Sequence, residues 1–294
     1  MEGLEELVTS AVRTAPGPVL GSAVSVAGPI DKATGRLVQL ADSPFLVDQF
    51  RPRELLADLL GPELEVDNDV NWAAIAEHHE GSASDVDDFY YCHLGHGFGG
   101  AVVWAGEVVR AVGVSLVRSP TSRPVVLRAD QMRLIECFAA WDLLGAGSST
   151  IHVAKVRDVL EGGSVGHRRI RDGVVLAIAK AVASVTALLN PSAVILGGPS
   201  SDAADFSDRL RERVQATAVV DTEVRSAQLG PPAPLIGARI AAGRSARQGL
   251  LARTPVRSGS RHEYVRSIGR LVLPAGKEVA RMDRSTVTPL FGGR

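Results

Sequence analysis

The chain is 294 residues long, 45% hydrophobic and 22% charged, with a formal net charge of -1, so it is long enough for one large domain or two lobes. This balance gives no basic field for nucleic acid and no acidic excess for disorder. Its two cysteines, Cys92 and Cys137, lie outside any CxxC or Cys/His spacing, so neither a disulfide framework nor a zinc site is expected and the expected compartment is the cytoplasm. The stretch MEGLEELVTSAV is acidic and amphipathic, unlike a signal peptide, and predicts a helix over 2–14. PVLGSAVSVAG reads as a strand and DKATGR as a turn. RPRELLADLLG carries leucines at helical spacing and stops at Gly61. LEVDNDVNWAAIAEHHEG predicts a short strand running into an Ala-rich helix. DDFYYCHLGHGFGGAVVWAGEVVRA is the strongest hairpin signal, two β-type runs around a Gly-rich turn.

Further on, helices are expected over 131–145 and over 149–161, the second capped by Ser148 or Ser149. A long helix is expected over 173–189. Its apolar run is interrupted by Lys180, which favours a buried helix of a soluble protein over a membrane span. Asn190-Pro191 breaks it, and SAVILGG reads as a fully buried strand. DFSDRLRERVQATA is an amphipathic surface helix, and LIGARIAAGRSARQGLLA a last helix of small residues. From residue 254 the sequence becomes Arg-rich and punctuated by Gly, Pro and Ser, which predicts a disordered tail. Strands alternating with helices give an α/β class, and the hairpin implies a mixed sheet.

Three places could carry chemistry. In LGHGFGG, Gly95, Gly97, Gly99 and Gly100 let the backbone turn tightly and expose N–H groups around His96. Such a nest can cradle a phosphate, although a tight hairpin uses glycine for steric reasons alone. In VILGG, a buried strand ends at Gly197 and Gly198, where α/β folds bind ligands. Asn68 and Asp69 stand between a strand and a helix. They are good helix caps, and a carboxylate with a neighbouring amide is also a pair that grips sugar hydroxyls. Histidines 78, 79, 93 and 96 crowd the same region, but adjacent helical positions point to different faces and no metal site is expected.

The order of these motifs resembles the ROK family (repressors, open reading frames and sugar kinases) over roughly residues 4 to 250. VDNDVN before an Ala-rich helix is most similar to the sugar-sensing domains of ROK transcriptional regulators of high-GC bacteria. The resemblance implies an actin-like ATPase (ribonuclease H-like) fold of two α/β lobes. These would be residues 1–92 and 93–253, with the last helix returning to the first lobe and 254–294 as tail. It also implies that Asp69 matches the catalytic base of the kinases and, with Asn68 and Glu136, contacts sugar. Gly95, His96, Gly97, Gly99 and Gly100 would match a phosphate loop, and Gly197 and Gly198 the loop near adenosine.

The departures shape the functional expectation. ROK kinases open with an Asp-x-Gly-Gly-Thr turn that nothing before Gly21 resembles, so a truncated, degenerate member with an incomplete first lobe is expected. Where the family has a Gly-Glu-Ile-Gly-His type segment, this chain reads VSLVRSPTSRP. His96 stands where the phosphate loop usually has Thr, and the family's Cys-rich zinc loop is missing. Phosphoryl transfer depends on positioning and electrostatics. The expectation is therefore a sugar-binding regulatory domain without kinase activity and without a helix-turn-helix. Its partner would be a small-molecule sugar, and, as in the family, it would pair as a homodimer. ATP and Mg are expected only under the alternative, a hexose kinase using Asp69 as base. A further alternative is the remnant of a truncated ROK regulator gene.

Overall fold

Hydrophobic patterning and turn chemistry place the elements of a computed structural model that describes residues 2–31, 34–37, 51–61, 63–109, 128–129, 132–146, 150–203, 205–217 and 222–253. The expected tail and the VSLVRSPTSRP segment lie outside the described residues. Helix α1 (Glu2–Thr14) leads to strand β1 (Ser22–Val26) and a small antiparallel pair, β2 (Ile30–Asp31) and β3 (Arg36–Leu37). Helix α2 (Pro52–Leu60) starts on Pro52, whose missing N–H costs nothing in a first turn, and ends at Gly61 with φ +85°. Strand β4 (Leu64–Asn68) pairs parallel with β1 and runs straight into α3 (Asp69–Glu80).

The hairpin follows as β5 (Phe89–Leu94) and β6 (Phe98–Trp104), then β7 (Glu107–Val108). Two further short strands, β8 (Arg128–Ala129) and β9 (Met132–Arg133), pair with each other before α4 (Leu134–Ala140). Helix α4 is shorter than the expected 131–145, because Asp142 takes a positive φ of 54° and Leu144 bridges Ile151. That bridge also delays the next helix, α5 (Val153–Glu161), which is capped by His152 and not by a serine. Helix α6 (Val165–Leu189) begins a full two turns before the expected start, because the Ser164 hydroxyl accepts from the His167 N–H at 3.0 Å. It ends as expected at Asn190, in the left-handed conformation at φ 46°. By length and composition α6 could cross a membrane, yet its apolar face is buried inside the core. Strand β10 (Ala193–Gly197), α7 (Phe206–Thr217), β11 (Glu223–Ser226) and α8 (Ala233–Arg253) complete the chain.

The central sheet has the order β11-β10-β5-β6-β7, parallel across β11, β10 and β5 and antiparallel from β5 to β7. It is mixed, as the hairpin implied, and β5 runs through the lobe boundary expected at residues 92 and 93. Alternation along β5 divides the core. Tyr90, Cys92 and Leu94 face a cluster with Phe138, Ile178, Val182 and Leu210, while Phe89 and Tyr91 face a second with Trp72, Ala76, Ala238 and Ala241. Contacts divide the chain into two units, Met1–Leu251 and Ala252–Arg294, and the site lies in the first.

Helix α3 sits between the β1–β4 pair and the second face of the central sheet, which explains why seven of its twelve residues are buried. Trp72 has no exposed surface, and its Nε1–H donates to the Val24 carbonyl of β1 at 3.1 Å. Small residues let α8 come close. A Cβ on Gly237 would fall 1.8 Å from the Trp72 carbonyl oxygen, and one on Gly21 would fall 2.3 Å from that of Ala242.

Candidate functional site

The carboxyl end of β4 delivers Asn68 and Asp69 to the first turn of α3. Asn68 is the N-cap, with φ -69° and ψ 146°, and its Oδ1 accepts from the Val70 N–H at 2.8 Å. Asp69 Oδ1 accepts from the same N–H at 2.9 Å. Behind them, Asp67 Oδ1 accepts from the Asn68 N–H at 2.8 Å and from the Asn71 side-chain amide at 2.7 Å. One donor thus holds two acceptors, which leaves the second Asp69 oxygen and the Asn68 amide group outside the cap. Burial pushes the Asp69 carboxyl above its ordinary value, with the Val70 N–H pulling the other way.

The glycine turn lies beside this pair. A Cβ on Gly99 would sit 3.4 Å from Val70 Cγ2, so the returning strand of the hairpin runs against the head of α3. Within the turn the Gly95 N–H donates to the Gly97 carbonyl at 3.0 Å, and a Cβ on Gly97 would meet open space. Gly99 and Gly100 lie in β6, in register with His93 and Cys92. A Cβ on Gly100 would fall 2.1 Å from the Tyr90 hydroxyl, so that glycine makes room for a buried ring. His96 is exposed on the turn. His93 beneath it is held down to about 4 by burial and then by the nearby His96, and its Nδ1 is buried without a partner among the described residues.

The second glycine element adjoins the first. Gly198 has φ +97°, and a Cβ there would fall 2.5 Å from the Leu94 carbonyl oxygen, so the loop after β10 lies on the end of β5. A Cβ on Gly95 would come within 3.5 Å of Pro199 Cδ, and one on Gly197 within 2.1 Å of the Tyr91 hydroxyl. Ser201 Oγ donates to the Gly198 carbonyl at 2.7 Å, and Arg157 of α5 donates to the Pro199 carbonyl at 2.8 Å. The carboxyl ends of β4, β5 and β10 therefore bring Asn68, Asp69, the 95–97 turn and Gly198 to one rim.

Glu136 is placed apart from α3. It is half-buried on α4, whose Leu134 and Phe138 pack in the first core cluster, on the opposite face of the sheet. The histidines fall into two pairs, His78 edge-on to His79 with ring centroids 5.3 Å apart and His93 near His96. His78 meets Asp87 at 3.2 Å and His79 meets Arg244. Among the described residues no group of three His, Cys, Asp or Glu side chains is placed to hold a metal ion.

Two features had no forewarning in the sequence. A cavity of about 380 Å³ lies on the outer side of the turn, lined by His96, Gly145 and residues Thr150–Ala154. The Ile151 N–H donates to the His96 carbonyl at 2.8 Å and fixes the turn against that cavity. The signal available was the short spacing from Gly145 to the helix start, but it points to a turn and not to a partner. The other is Glu77, a carboxylate with no exposed surface near the end of α3. Nothing local marks it, because two of its donors, Gln228 and Leu229, lie far along the chain.

Residues 1–115 match the ROK family. The bifunctional enzyme NanE/NanK of Brucella melitensis is 28% identical over 189 residues, covering 60% of this chain and 35% of that protein. The chain spans about a third of the length of the curated relatives it matches. Among solved structures, the ROK hexokinase of Thermus thermophilus superposes with a TM-score of 0.65 at 23% identity, over 84% of this chain and 86% of that one. A ROK glucokinase of Streptomyces griseus, solved with glucose and AMPPNP, gives 0.60 at 21%, over 83% and 88%. A ROK transcriptional regulator, homologous to the E. coli MLC protein, gives 0.62 at 16%, over 85% and 68%. The fold is the actin-like ATPase fold that these ROK proteins share.

Proposed function

We propose, since residues 1–115 match the ROK family and the fold is the one that ROK structures share, that the chain is a sugar-binding domain of the regulatory kind. Asn68 and Asp69 would grip the ligand, in the cytoplasm. The observation that carries this reading is the shared Val70 N–H, which fixes both side chains at the strand end and leaves acceptor and donor capacity over. A carboxylate and an amide held together are suited to two hydroxyls of one sugar ring. Asp69 is half-buried, so a hydroxyl that displaces water there meets a low dielectric, where hydrogen bonds to a charge are strengthened. His96 in the glycine turn, and VSLVRSPTSRP where the family has its Glu- and His-containing segment, favour sensing over phosphoryl transfer.

A kinase is the second reading, favoured by the meeting of the 95–97 turn with the Gly198 loop. A Cβ on Gly198 would collide with the Leu94 backbone, so the two loops pack directly on each other, and Gly97 opens outward. Under this reading the turn would hold phosphates, Gly197 and Gly198 would line adenosine, and ATP with Mg would supply the phosphoryl group. Asp69 would take the proton from the sugar hydroxyl.

A thermal-shift titration against hexoses and N-acetylhexosamines, each with and without Mg-ATP, tests both readings. A ligand that binds only the folded chain must raise the melting temperature. A shift with one sugar that is lost in Asn68→Ala supports the sensor. Sugar-dependent ADP release that is lost in Asp69→Asn supports the kinase. No shift with any sugar, from a chain that melts cooperatively, removes both.

A further inference from the structure

We propose that Glu77 is the positioning residue of the Asn68–Asp69 site, a buried latch that locks the far end of α3 to the segment between β11 and α8. This rests on the sugar-binding reading for its ligand arm and on geometry alone for its mechanical arm. The Glu77 carboxylate has no exposed surface. Its Oε2 accepts from the Ser82 N–H at 2.9 Å and the Ser82 hydroxyl at 3.1 Å. Its Oε1 accepts from the Gln228 N–H at 3.0 Å and the Leu229 N–H at 2.8 Å. Three backbone donors and a hydroxyl on two oxygens satisfy an ionised carboxylate inside protein. Gly81 makes the space, since a Cβ there would fall 2.1 Å from Oε2.

The donors belong to the segment that also shapes the rim. The Ala227 N–H donates to the Leu196 carbonyl at 2.7 Å, so the segment that leaves β11 stays beside the end of β10, the strand that ends at Gly197. A few residues on, the chain becomes α8, whose Gly237 lies against the backbone of Trp72 in the middle of α3. One carboxylate thus connects α3 to the segment that leads from β11 into α8. Asp69 stands about 12 Å away along the same helix. A helix moves as a rod, so a shift at Glu77 is carried to Val70 and its contact with Gly99. Tyr91 lies between the two ends. Burial raises its hydroxyl first, and then the charges of Glu77, Cys92 and Asp69 add to that.

The test uses the full chain with Glu77→Gln, which puts an amide donor among donors, and Glu77→Asp, which keeps the charge. Hydrogen exchange is followed at residues 70–76 and 228–236, with α6 and β10 as references, and each variant is titrated with the sugar found by thermal shift. In Glu77→Gln, exchange at both segments should rise together by about tenfold while the references hold, and sugar affinity should fall by about tenfold. Glu77→Asp should recover part of both. A rise confined to Ser82, a rise shared equally by α6 and β10, or an unchanged affinity in a chain that binds sugar would each overturn the latch. If the unaltered chain binds no sugar but the two segments still open together, the sugar reading fails and the latch stands. Should Glu77→Gln not fold, Ser82→Ala removes one donor and carries the same paired readout at smaller amplitude.

Discussion

Two of the carboxylates of α3, Asp69 and Glu77, stand about two turns apart and live in opposite surroundings. Asp69 heads the helix at a strand end, half-buried, sharing one local N–H with Asn68. Glu77 near the other end is fully buried and takes donors from Ser82, Gln228 and Leu229. Among the described residues one carboxylate has a single local donor and the other has four. Spare hydrogen-bonding capacity at a strand end suits a ligand, whereas saturation from distant segments suits architecture.

The sharpest way to break this comparison is to truncate both. Glu77→Ala leaves three partly buried backbone N–H groups without the carboxylate that accepts from them, so a loss on the order of 2–4 kcal/mol is expected in urea unfolding. Asp69→Ala should cost well under that, because Asn68 still accepts from the Val70 N–H. Equal costs would mean that Asp69 is as architectural as Glu77.

A second contrast sets Asp69 against His93, which lies under the glycine turn. Burial holds His93 down to about 4, so the folded state keeps the ring neutral where the unfolded chain takes up a proton. Stability from the neutral ring is present above about pH 6.5 and is lost as pH falls toward 4, by up to roughly 3 kcal/mol. His93→Gln should flatten that acid-side slope when urea midpoints are compared at pH 7 and pH 5. An unchanged slope would place the titrating group elsewhere.

Most of the elements were legible because their signals are local. Pro52 and Gly61 bracket α2, Asn190 stops α6, and alternation marks β5. The fold followed from the order of motifs. What could not be read depended on tertiary partners. The start of α5 moved because Leu144 bridges Ile151, and a bridge between two residues leaves no periodicity in either stretch. Gly99 and Gly100 look like part of a loop, yet they extend β6, because the turn closes on Gly95 and Gly97. Glu77 carries no mark at all, since its meaning lies in amides that only the folded chain brings to it.

Asn68→Ala offers a smaller and more specific effect. Loss of an N-cap typically costs about 1 kcal/mol, and Asp69 Oδ1 at 2.9 Å retains part of that. The stability change should therefore be a few tenths to about 1 kcal/mol, while sugar affinity falls by about tenfold or more. A variant that loses stability and keeps its sugar affinity would make Asn68 a cap and nothing else.

Asp69→Asn carries the smallest change in stability and the most informative sign. Burial raises the Asp69 carboxyl, so the folded state binds its proton more tightly than the unfolded chain does. The stability this lends is complete below the ordinary carboxylate range near pH 4 and is lost as pH rises through the folded value. At neutral pH the ionised group is therefore a burden on the fold. An asparagine of the same shape keeps an oxygen for the Val70 N–H and removes the charge. Unfolding curves should show Asp69→Asn equal to or above the unaltered chain at pH 7, with that advantage shrinking toward pH 4. Sugar affinity should move in the opposite direction. A residue whose replacement steadies the fold and weakens the ligand is held for the ligand. A replacement that weakens both, or neither, would return Asp69 to the role of a helix-starting residue.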